Sequence, residues 1–327
     1  MPELLYREAL RRALDEEMAR DPHVFLLGET IAERGGSFKV TEGLLARYGP
    51  GRVIDTPIAE ASFTGMAVGA ALIGCRPVVE LLFIDFALLA MDPIVNQAAK
   101  IEFISGGRRR LPLVIRTQGG VGEGLAAQHS QSLEALFYHI PGLKVVMPST
   151  PADAYGLLKS AIRDDHPVVF IEHKRLYALS GPVPEEETLL PLGKADCKRR
   201  GNDVTLVSWS FMVHRCLAAA GLLERRGIEA EVLDLRSLVP LDREALLASA
   251  RRTGRVLIVH EAVRRGGVGG DLAATIMEEA WSDLAAPVRR LAGRNTPIPY
   301  SRSIEEVCIP AVEEIAAAAA ELAAIGR

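Results

Sequence analysis

Short apolar runs alternate with longer helical patterns along the whole of this 327-residue chain. The alternation is typical of an open parallel α/β sheet, because strands covered by helices on both faces are apolar throughout. Nine such runs, several ending in charge, glycine or proline, are predicted to be strands. They span residues 24–27, 77–81, 111–116, 143–147, 168–172, 204–208, 229–235, 255–260 and 288–291. We therefore predict an α/β fold with a parallel sheet.

A break in this pattern divides the chain in two. Residues 177–198 contain three prolines, two glycines and a run of three glutamates, and they show neither helical nor strand periodicity. We expect one domain at residues 1–180, a linker at 181–200, and a second, smaller α/β domain at 201–327.

Two helices are indicated by their boundary residues. Thr150 offers a hydroxyl cap, Pro151 occupies a position that needs no amide hydrogen, and Asp153 places an acid in the first turn. A helix is therefore expected to begin there. The last element, at residues 304–325, ends in alanine-rich sequence with high helix propensity.

Charge and composition exclude several classes of protein. The chain has 42 acidic and 38 basic residues, a formal charge of −4, so no broad electropositive face for nucleic acid or anionic lipid is expected. No apolar run reaches the roughly 18 residues of a spanning helix, and the start lacks the features of a signal peptide. We expect a soluble, cytoplasmic protein. Its four scattered cysteines form no C-x-x-C pair, which favours free thiols over disulfides or a zinc site.

Two glycine-rich stretches, at residues 119–124 and 267–272, are candidates for phosphate binding. Both depart from the G-x-G-x-x-G spacing of dinucleotide-binding loops. The simpler interpretation is a mobile surface loop. A nicotinamide or flavin enzyme remains an alternative.

Two polar residues are candidates for catalysis. Glu60 directly precedes a helix of small residues, and a carboxylate flanked by apolar sequence must find a partner or have its pKa raised. The alternative is an acid that complements the dipole of its helix. His129 lies between a glycine-rich loop and a predicted helix, where an imidazole can reach a cleft. A structural histidine is the alternative there.

Several runs resemble the beta subunit of the thiamine-dependent first component of 2-oxo acid dehydrogenase complexes. The family includes pyruvate, branched-chain and acetoin dehydrogenase subunits, and it is related to transketolase. The resemblance is most specific between Arg52 and Tyr177 and looser from Asp203 to Tyr300. The runs that carry it are residues 53–60, 69–77, 96–100, 105–107, 128–132 and 141–151.

The resemblance implies a fold, an assembly and cofactors. The fold would be a transketolase-like pyrimidine-binding domain with a parallel sheet, followed by a smaller domain of the transketolase C-terminal type. Two alpha and two beta subunits would form an α2β2 tetramer, with thiamine diphosphate between alpha and beta. The family's alpha subunit holds magnesium and diphosphate through a Gly-Asp-Gly motif, and this chain has none.

The resemblance also implies which residues form the cofactor face, the surface that contacts thiamine diphosphate. Glu60 matches the glutamate that faces N1′ of the aminopyrimidine and favours the tautomer able to take the thiazolium proton. Phe86 matches an aromatic residue that stacks on the pyrimidine, and Ile58 and Leu82 match positions lining the same pocket. Glu29 matches a second acid near the cofactor, which would belong to a proton relay between paired sites.

Other roles follow from the same resemblance. His129 matches a histidine that hydrogen-bonds the substrate and assists transfer to the lipoyl group. Some members bind potassium, chiefly through backbone carbonyls. The matching positions are Leu113, Ala161, Ile162, Asp164 and His166, the last in place of a common asparagine. The alternative for residues 163–167 is an ordinary helix end before a proline.

The substrate implied by the resemblance is pyruvate, which would be oxidatively decarboxylated with transfer of the acyl group to lipoyl groups. Acetoin and branched-chain 2-oxo acids are the alternatives. Residues 172–177 resemble the acetoin and branched-chain types at least as well as the pyruvate type, whereas Leu82 replaces the glutamine of some branched-chain enzymes. A lipoyl-bearing acyltransferase core is the other expected partner, docking through C-terminal acids (Glu305, Glu306, Glu313 and Glu314). A non-catalytic scaffold subunit is a further alternative, but it predicts loss of the acid and aromatic residue at the cofactor face.

Overall fold

A computed structural model describes residues 1–325, which form two compact units. The first unit comprises residues 1–119 and 136–192. The second comprises residues 120–135 and the chain from Gly193 onward.

Fourteen strands and eleven α-helices occur within the described residues. The strands are β1 (Glu3–Leu5), β2 (Val24–Gly28), β3 (Val53–Asp55), β4 (Arg76–Leu81), β5 (Val114–Gly119), β6 (Lys144–Val146), β7 (Val168–His173), β8 (Ser180–Pro182), β9 (Asp196–Arg199), β10 (Val204–Ser208), β11 (Ala230–Asp234), β12 (Ser237–Val239), β13 (Val256–Val263) and β14 (Arg289–Gly293). The helices are α1 (Tyr6–Arg20), α2 (Leu44–Tyr48), α3 (Glu60–Leu72), α4 (Ile101–Ile104), α5 (Glu134–Tyr138), α6 (Pro151–Arg163), α7 (Met212–Glu224), α8 (Arg243–Thr253), α9 (Gly269–Ala280), α10 (Arg302–Glu306) and α11 (Val312–Ala323).

The first unit is built on a parallel sheet with the strand order β6-β7-β5-β4-β2-β3. The central strands are buried along their whole length, which explains their continuous apolar runs. Helix α6 begins where the sequence predicts, because Thr150 Oγ1 accepts the Asp153 amide at 3.1 Å. The carboxyl ends of β2, β4, β5 and β7 lie at one edge of this sheet, where ligand sites of such sheets form.

The second unit has its own sheet, with the strand order β14-β13-β10-β11-β9. Its strands are parallel except for β9, which pairs antiparallel with β11 at the edge. Helices α7 and α11 cover one face, and their buried side chains include Cys216, Leu223, Ile315 and Leu322. This packing gives the unit a hydrophobic core of its own.

The nine predicted strands are all present, and the differences lie elsewhere. Residues 120–135 cluster with the second unit although they precede the predicted linker. Residues 181–200 contain part of β8 and all of β9, so the predicted linker includes an edge strand. The predicted helix at 304–325 is divided into α10 and α11, because Pro310 lies between them and cannot continue a helix.

Three features are missing from the part of the chain that the structure describes. No helix there is long and apolar enough to cross a membrane. The four cysteines, all within residues 1–325, form no disulfide. No group of three or more histidine, cysteine, aspartate or glutamate side chains is arranged to hold a metal ion.

Candidate active site

Two buried carboxylates lie close together at the carboxyl edge of the first sheet. Glu29 follows β2 directly, and Glu60 is the first residue of α3. Their side chains belong to residues that are only 9% and 4% exposed. Burial raises the pKa of Glu29, and the neighbouring Glu60 charge raises it further. Two carboxylates in this position disfavour simultaneous ionisation, so the pair is suited to holding a proton.

Both carboxylates lack the partners that buried charges normally have. Within residues 1–325, the buried Oε1 atom of Glu29 has no hydrogen-bond partner, and the Glu60 side chain makes no hydrogen bond or ion pair. A buried acid without a partner is costly unless a ligand completes the site. The pair therefore offers acceptor or donor atoms to a polar group supplied from outside this chain.

The loop after β4 leads at the same edge into a short 3₁₀ helix, Phe86–Ala90, which begins with an aromatic residue. Phe86 is half-buried, and its ring packs edge-on against Phe83 with ring centroids 5.6 Å apart. Leu82 is half-buried in that loop, whereas Ile58 is 81% exposed. Five of the predicted residues, Glu29, Ile58, Glu60, Leu82 and Phe86, thus belong to the first unit.

Sequence reasoning missed a charged network inside the same sheet. The Arg116 guanidinium, in β5, donates to Glu80 at 2.6 Å and to both oxygens of Glu172 at 2.7 and 2.8 Å. Tyr177 donates its hydroxyl to Glu172 at 2.6 Å. Burial raises the pKa of Glu172, an effect that Arg116 opposes. The signal is present in the sequence, since Glu80, Arg116 and Glu172 each lie near the carboxyl end of a predicted strand, but the sequence does not show that they pair with one another.

Aromatic ring contacts connect this network to Phe86. Phe38 lies over Tyr177 with ring centroids 4.6 Å apart, and it meets Phe83 edge-on at 6.4 Å. Phe83 in turn contacts Phe86. The position of Phe86 therefore depends on packing that reaches the buried charges.

His129 belongs to the second unit, in a loop between β5 and α5. The residue is half-buried, and the loop has no regular secondary structure. The Gly120 amide donates to the Gln131 carbonyl at 3.0 Å, which brings the two ends of the loop together. Residues 120–132 are therefore a compact, closed loop of the Ω type.

Glu261 holds the two ends of this loop from the side. Its Oε1 atom accepts the Val121 amide at 2.7 Å and lies 3.3 Å from the donating hydroxyl of Ser132. One carboxylate oxygen thus joins a residue before His129 to a residue after it.

Glu305 is buried against the glycine-rich part of the same loop. Its Oε1 accepts the Gly122 amide at 2.5 Å, and its Oε2 accepts the Gly124 amide at 3.1 Å. The stretch at 119–124, predicted as a mobile surface loop or a phosphate cradle, therefore binds an anion of its own chain. Val121 within it is fully buried whereas Glu123 is exposed, so only part of the stretch lies at the surface.

The burial of Glu305 also corrects the predicted docking surface. Glu305 is 0% exposed and cannot contribute a charge to that surface. Glu306, Glu313 and Glu314 are exposed, although Glu306 pairs with Arg215.

A cavity of about 550 Å³ opens beside the loop, within the second unit. Gln128 and Ser130, the neighbours of His129, line one side, and Glu261 and Thr296 line another. The cavity mixes hydroxyl, amide, carboxylate and apolar groups, so it can accommodate a ligand that is partly polar.

Comparisons with known proteins show which family the chain resembles. The pyrimidine-binding domain of transketolase matches residues 3–180, and the transketolase C-terminal domain matches residues 193–315. The pyruvate dehydrogenase E1 component subunit beta of Porphyra purpurea is 50% identical, covering 94% of this chain and 93% of its own. The 2-oxoisovalerate dehydrogenase subunit beta of Bacillus subtilis is 46% identical, covering 99% of both chains. The acetoin:2,6-dichlorophenolindophenol oxidoreductase subunit beta of Cupriavidus necator is 47% identical, covering 95% of both.

The chain belongs to the family of 2-oxo acid dehydrogenase beta subunits. The predicted family, its transketolase-like α/β fold and its place among E1 beta subunits are confirmed.

Solved structures agree with this fold. A split-gene transketolase, described as an inactive beta4 tetramer, has a TM-score of 0.81 and 26% identity, and the match covers 99% of both chains. A transketolase mutant from Pichia stipitis has a TM-score of 0.71 and 17% identity, over 99% of this chain and 47% of that one. The second likeness shows the fold alone.

The beta subunit has residues that fit thiamine diphosphate, the cofactor implied by its family. The unpartnered Glu60 carboxylate matches the need for a group facing the pyrimidine nitrogen, and the half-buried Phe86 offers a ring for stacking. The roles of Glu29, Glu60, Phe86 and His129 stay predictions.

The potassium site also stays a prediction. Its five proposed ligands are Leu113, Ala161, Ile162, Asp164 and His166. Arg76 donates to the Ile162 carbonyl at 3.0 Å and to the Asp164 carbonyl at 2.8 Å. The His166 ring lies 2.9 Å from Asp164 Oδ1. A guanidinium therefore already contacts two of the carbonyls that would bind the ion.

Proposed function

We propose that this beta subunit forms half of a pyruvate dehydrogenase active site, which decarboxylates pyruvate oxidatively and transfers the acetyl group to a lipoyl disulfide. The observation that carries the proposal is the buried, unpartnered pair Glu29 and Glu60 at the carboxyl edge of the sheet. Such a pair is suited to proton transfer.

Glu60 would hydrogen-bond N1′ of the aminopyrimidine, and Phe86 would stack on the ring. Thiamine diphosphate supplies a carbon nucleophile for attack on the oxo group. With the cofactor bound, Glu60 would favour the tautomer able to accept the thiazolium proton, because a carboxylate in an apolar site forms a strong charge-assisted bond. Glu29, whose pKa is raised by burial and by Glu60, would store or relay a proton.

The alpha subunit is proposed to hold the diphosphate and magnesium. The first unit leaves large apolar side chains in solvent, as expected of a surface that another chain covers. On and beside α3, Ile58 is 81%, Met66 50% and Ile73 84% exposed. Gly65 has open space where a side chain would stand, which permits close approach of a partner. We therefore propose the α2β2 tetramer.

This assembly is tested by mixing the beta subunit with its alpha partner and measuring mass by light scattering. Met66→Asp should prevent the tetramer without unfolding the chain, because the side chain is already half-exposed. The exposed Glu278→Asp is the matched control. Normal assembly of Met66→Asp would contradict the proposed interface.

Acetoin and branched-chain 2-oxo acids remain the alternative substrates. Relatives named for all three substrates are 46–50% identical to the beta subunit, so identity alone does not separate them. Leu82 in place of glutamine disfavours the branched-chain type. The cytoplasmic location and the docking of an acyltransferase core likewise rest on the sequence.

The deciding experiment is turnover by the reconstituted alpha–beta pair with pyruvate, 2-oxoisovalerate and acetoin, supplied with thiamine diphosphate and magnesium. We expect the highest kcat/KM with pyruvate. Preference for another substrate would replace the pyruvate assignment with that substrate. No turnover of any of them by a correctly assembled tetramer would favour the non-catalytic scaffold.

A further inference from the structure

The second unit contributes a buried carboxylate to the loop that carries His129. Glu305 lies on α10, more than 170 residues from the loop in sequence, and binds the Gly122 and Gly124 amides with one oxygen each. We propose that Glu305 is a positioning residue that holds the His129 loop in the shape needed for acyl transfer. This inference rests on the proposed function of His129.

The backbone of the loop is shaped for this carboxylate. Gly122 and Gly124 have φ angles of 129° and 66°, in the region that favours glycine, and this conformation directs both amides at Glu305. Successive amides that converge in this way form a concave anion site. A side chain at position 124 would also meet the Tyr300 carbonyl at 3.2 Å. The glycines are therefore explained by Glu305 and not by a phosphate.

The interaction is also protected from water. Glu305 is 0% exposed, and a buried carboxylate is costly unless hydrogen bonds compensate it. The two amides do so, and hydrogen bonds to a charged group are stronger than neutral ones. Arg302, on the same short helix, adds a contact from the outside by donating to the Glu123 carbonyl at 3.3 Å. Helix α10 is therefore hydrogen-bonded to one side of the loop through two of its side chains.

Glu305 acts on the loop through the backbone and not on His129 itself. It holds residues 122–124, while Glu261 and the Gly120 to Gln131 hydrogen bond hold the two ends. Removing the Glu305 charge should therefore loosen the middle of the loop and leave its ends closed. The acyl-transfer step, assigned to His129, should suffer more than the decarboxylation step, assigned to Glu60.

The test compares Glu305→Gln with wild type in the tetramer reconstituted with the alpha subunit. Hydrogen–deuterium exchange should rise about tenfold or more at the Gly122 and Gly124 amides, because a neutral amide cannot accept from both. Lipoyl acetylation should fall about tenfold or more, whereas decarboxylation with an artificial electron acceptor should fall less than threefold. Glu278→Gln, which removes an exposed charge from α9, is the matched control and should match wild type in all three assays.

A second variant covers the possibility that Glu305→Gln does not fold. Glu305→Asp keeps the charge but shortens its reach, so it should show a smaller increase in exchange and a smaller loss of acetylation. Unchanged exchange in a folded variant would overturn the positioning of the loop. Faster exchange with equal losses of lipoyl acetylation and decarboxylation, or with no loss of either, would overturn the role of Glu305 in acyl transfer. If wild type turns over none of the substrates, the proposed function fails, while the exchange rates still decide whether Glu305 holds the loop.

Discussion

Replacing Arg116 by methionine should destabilise the beta subunit strongly. The guanidinium is 1% exposed and makes three hydrogen bonds of 2.6 to 2.8 Å to Glu80 and Glu172. Methionine fills a similar space but leaves two carboxylates in the core without a cation. Removing one partner from a buried charge network costs about 3–5 kcal/mol, and we expect a loss in that range at pH 7.

The stability loss caused by Arg116→Met should depend on pH. Burial already raises the pKa of Glu172, and Arg116 works against the increase, so losing Arg116 raises this pKa further. A carboxyl group whose pKa is higher in the folded than in the unfolded state favours the folded state at low pH. This contribution to stability is lost as the pH rises through the folded-state pKa. The deficit of Arg116→Met relative to wild type should therefore grow as the pH rises above the ordinary titration range of a glutamate.

Urea unfolding followed by circular dichroism measures both effects. Arg109→Met is the control, because Arg109 is exposed, and its cost should stay within about 0.5 kcal/mol. Equal losses for the two arginines would refute the claim that the network is a buried charge cluster. A deficit that shrinks as the pH rises would refute the reasoning about its protonation.

Three further stability predictions follow from single contacts. Gly142→Ala should cost at least about 2 kcal/mol in urea unfolding, because Gly142 has a φ of 98° and a side chain there would stand 2.0 Å from the Ala99 carbonyl; a loss below about 0.5 kcal/mol would contradict this. Thr150→Ala should cost about 1 kcal/mol by removing the acceptor for the Asp153 amide, and an unchanged midpoint would show that the cap contributes nothing. Glu134 has its pKa raised to about 7, chiefly by burial, so wild type should lose ~2 kcal/mol of stability relative to Glu134→Gln as the pH rises from about 4.5 to 7; parallel pH profiles for the two proteins would refute it.

The sequence predicts the parts of this molecule that depend on local patterns. Eight of the nine predicted strands have five or more residues, and their apolar runs are visible in the sequence. The cap at Thr150 is equally local. Strands of three or four residues, such as Val53–Asp55 and Asp196–Arg199, are too short to show a period, and sheet pairing decides them.

Long-range partnerships are what the sequence leaves open. The sequence predicts a surface acid at Glu305, because nothing near it in sequence reveals that it accepts hydrogen bonds from two amides some 180 residues away. The glycines at positions 122 and 124 indicate a candidate anion-binding loop, but they do not show that the anion is a carboxylate of the same chain. Glu60 differs, since its place at the start of a small-residue helix was readable, and the structure adds its burial and its neighbour Glu29.

The central claim is that Glu60 activates the cofactor, and exchange of the thiazolium C2 proton for deuterium tests it most directly. The measurement compares wild type, Glu60→Gln and the exposed-site control Glu278→Gln in tetramers reconstituted with the alpha subunit, at saturating thiamine diphosphate. A neutral amide keeps the shape but cannot favour the required tautomer, so exchange in Glu60→Gln should slow by roughly 10² or more, while the control exchanges like wild type. Exchange at the wild-type rate in Glu60→Gln would contradict the account and leave Glu60 as an acid at a helix terminus.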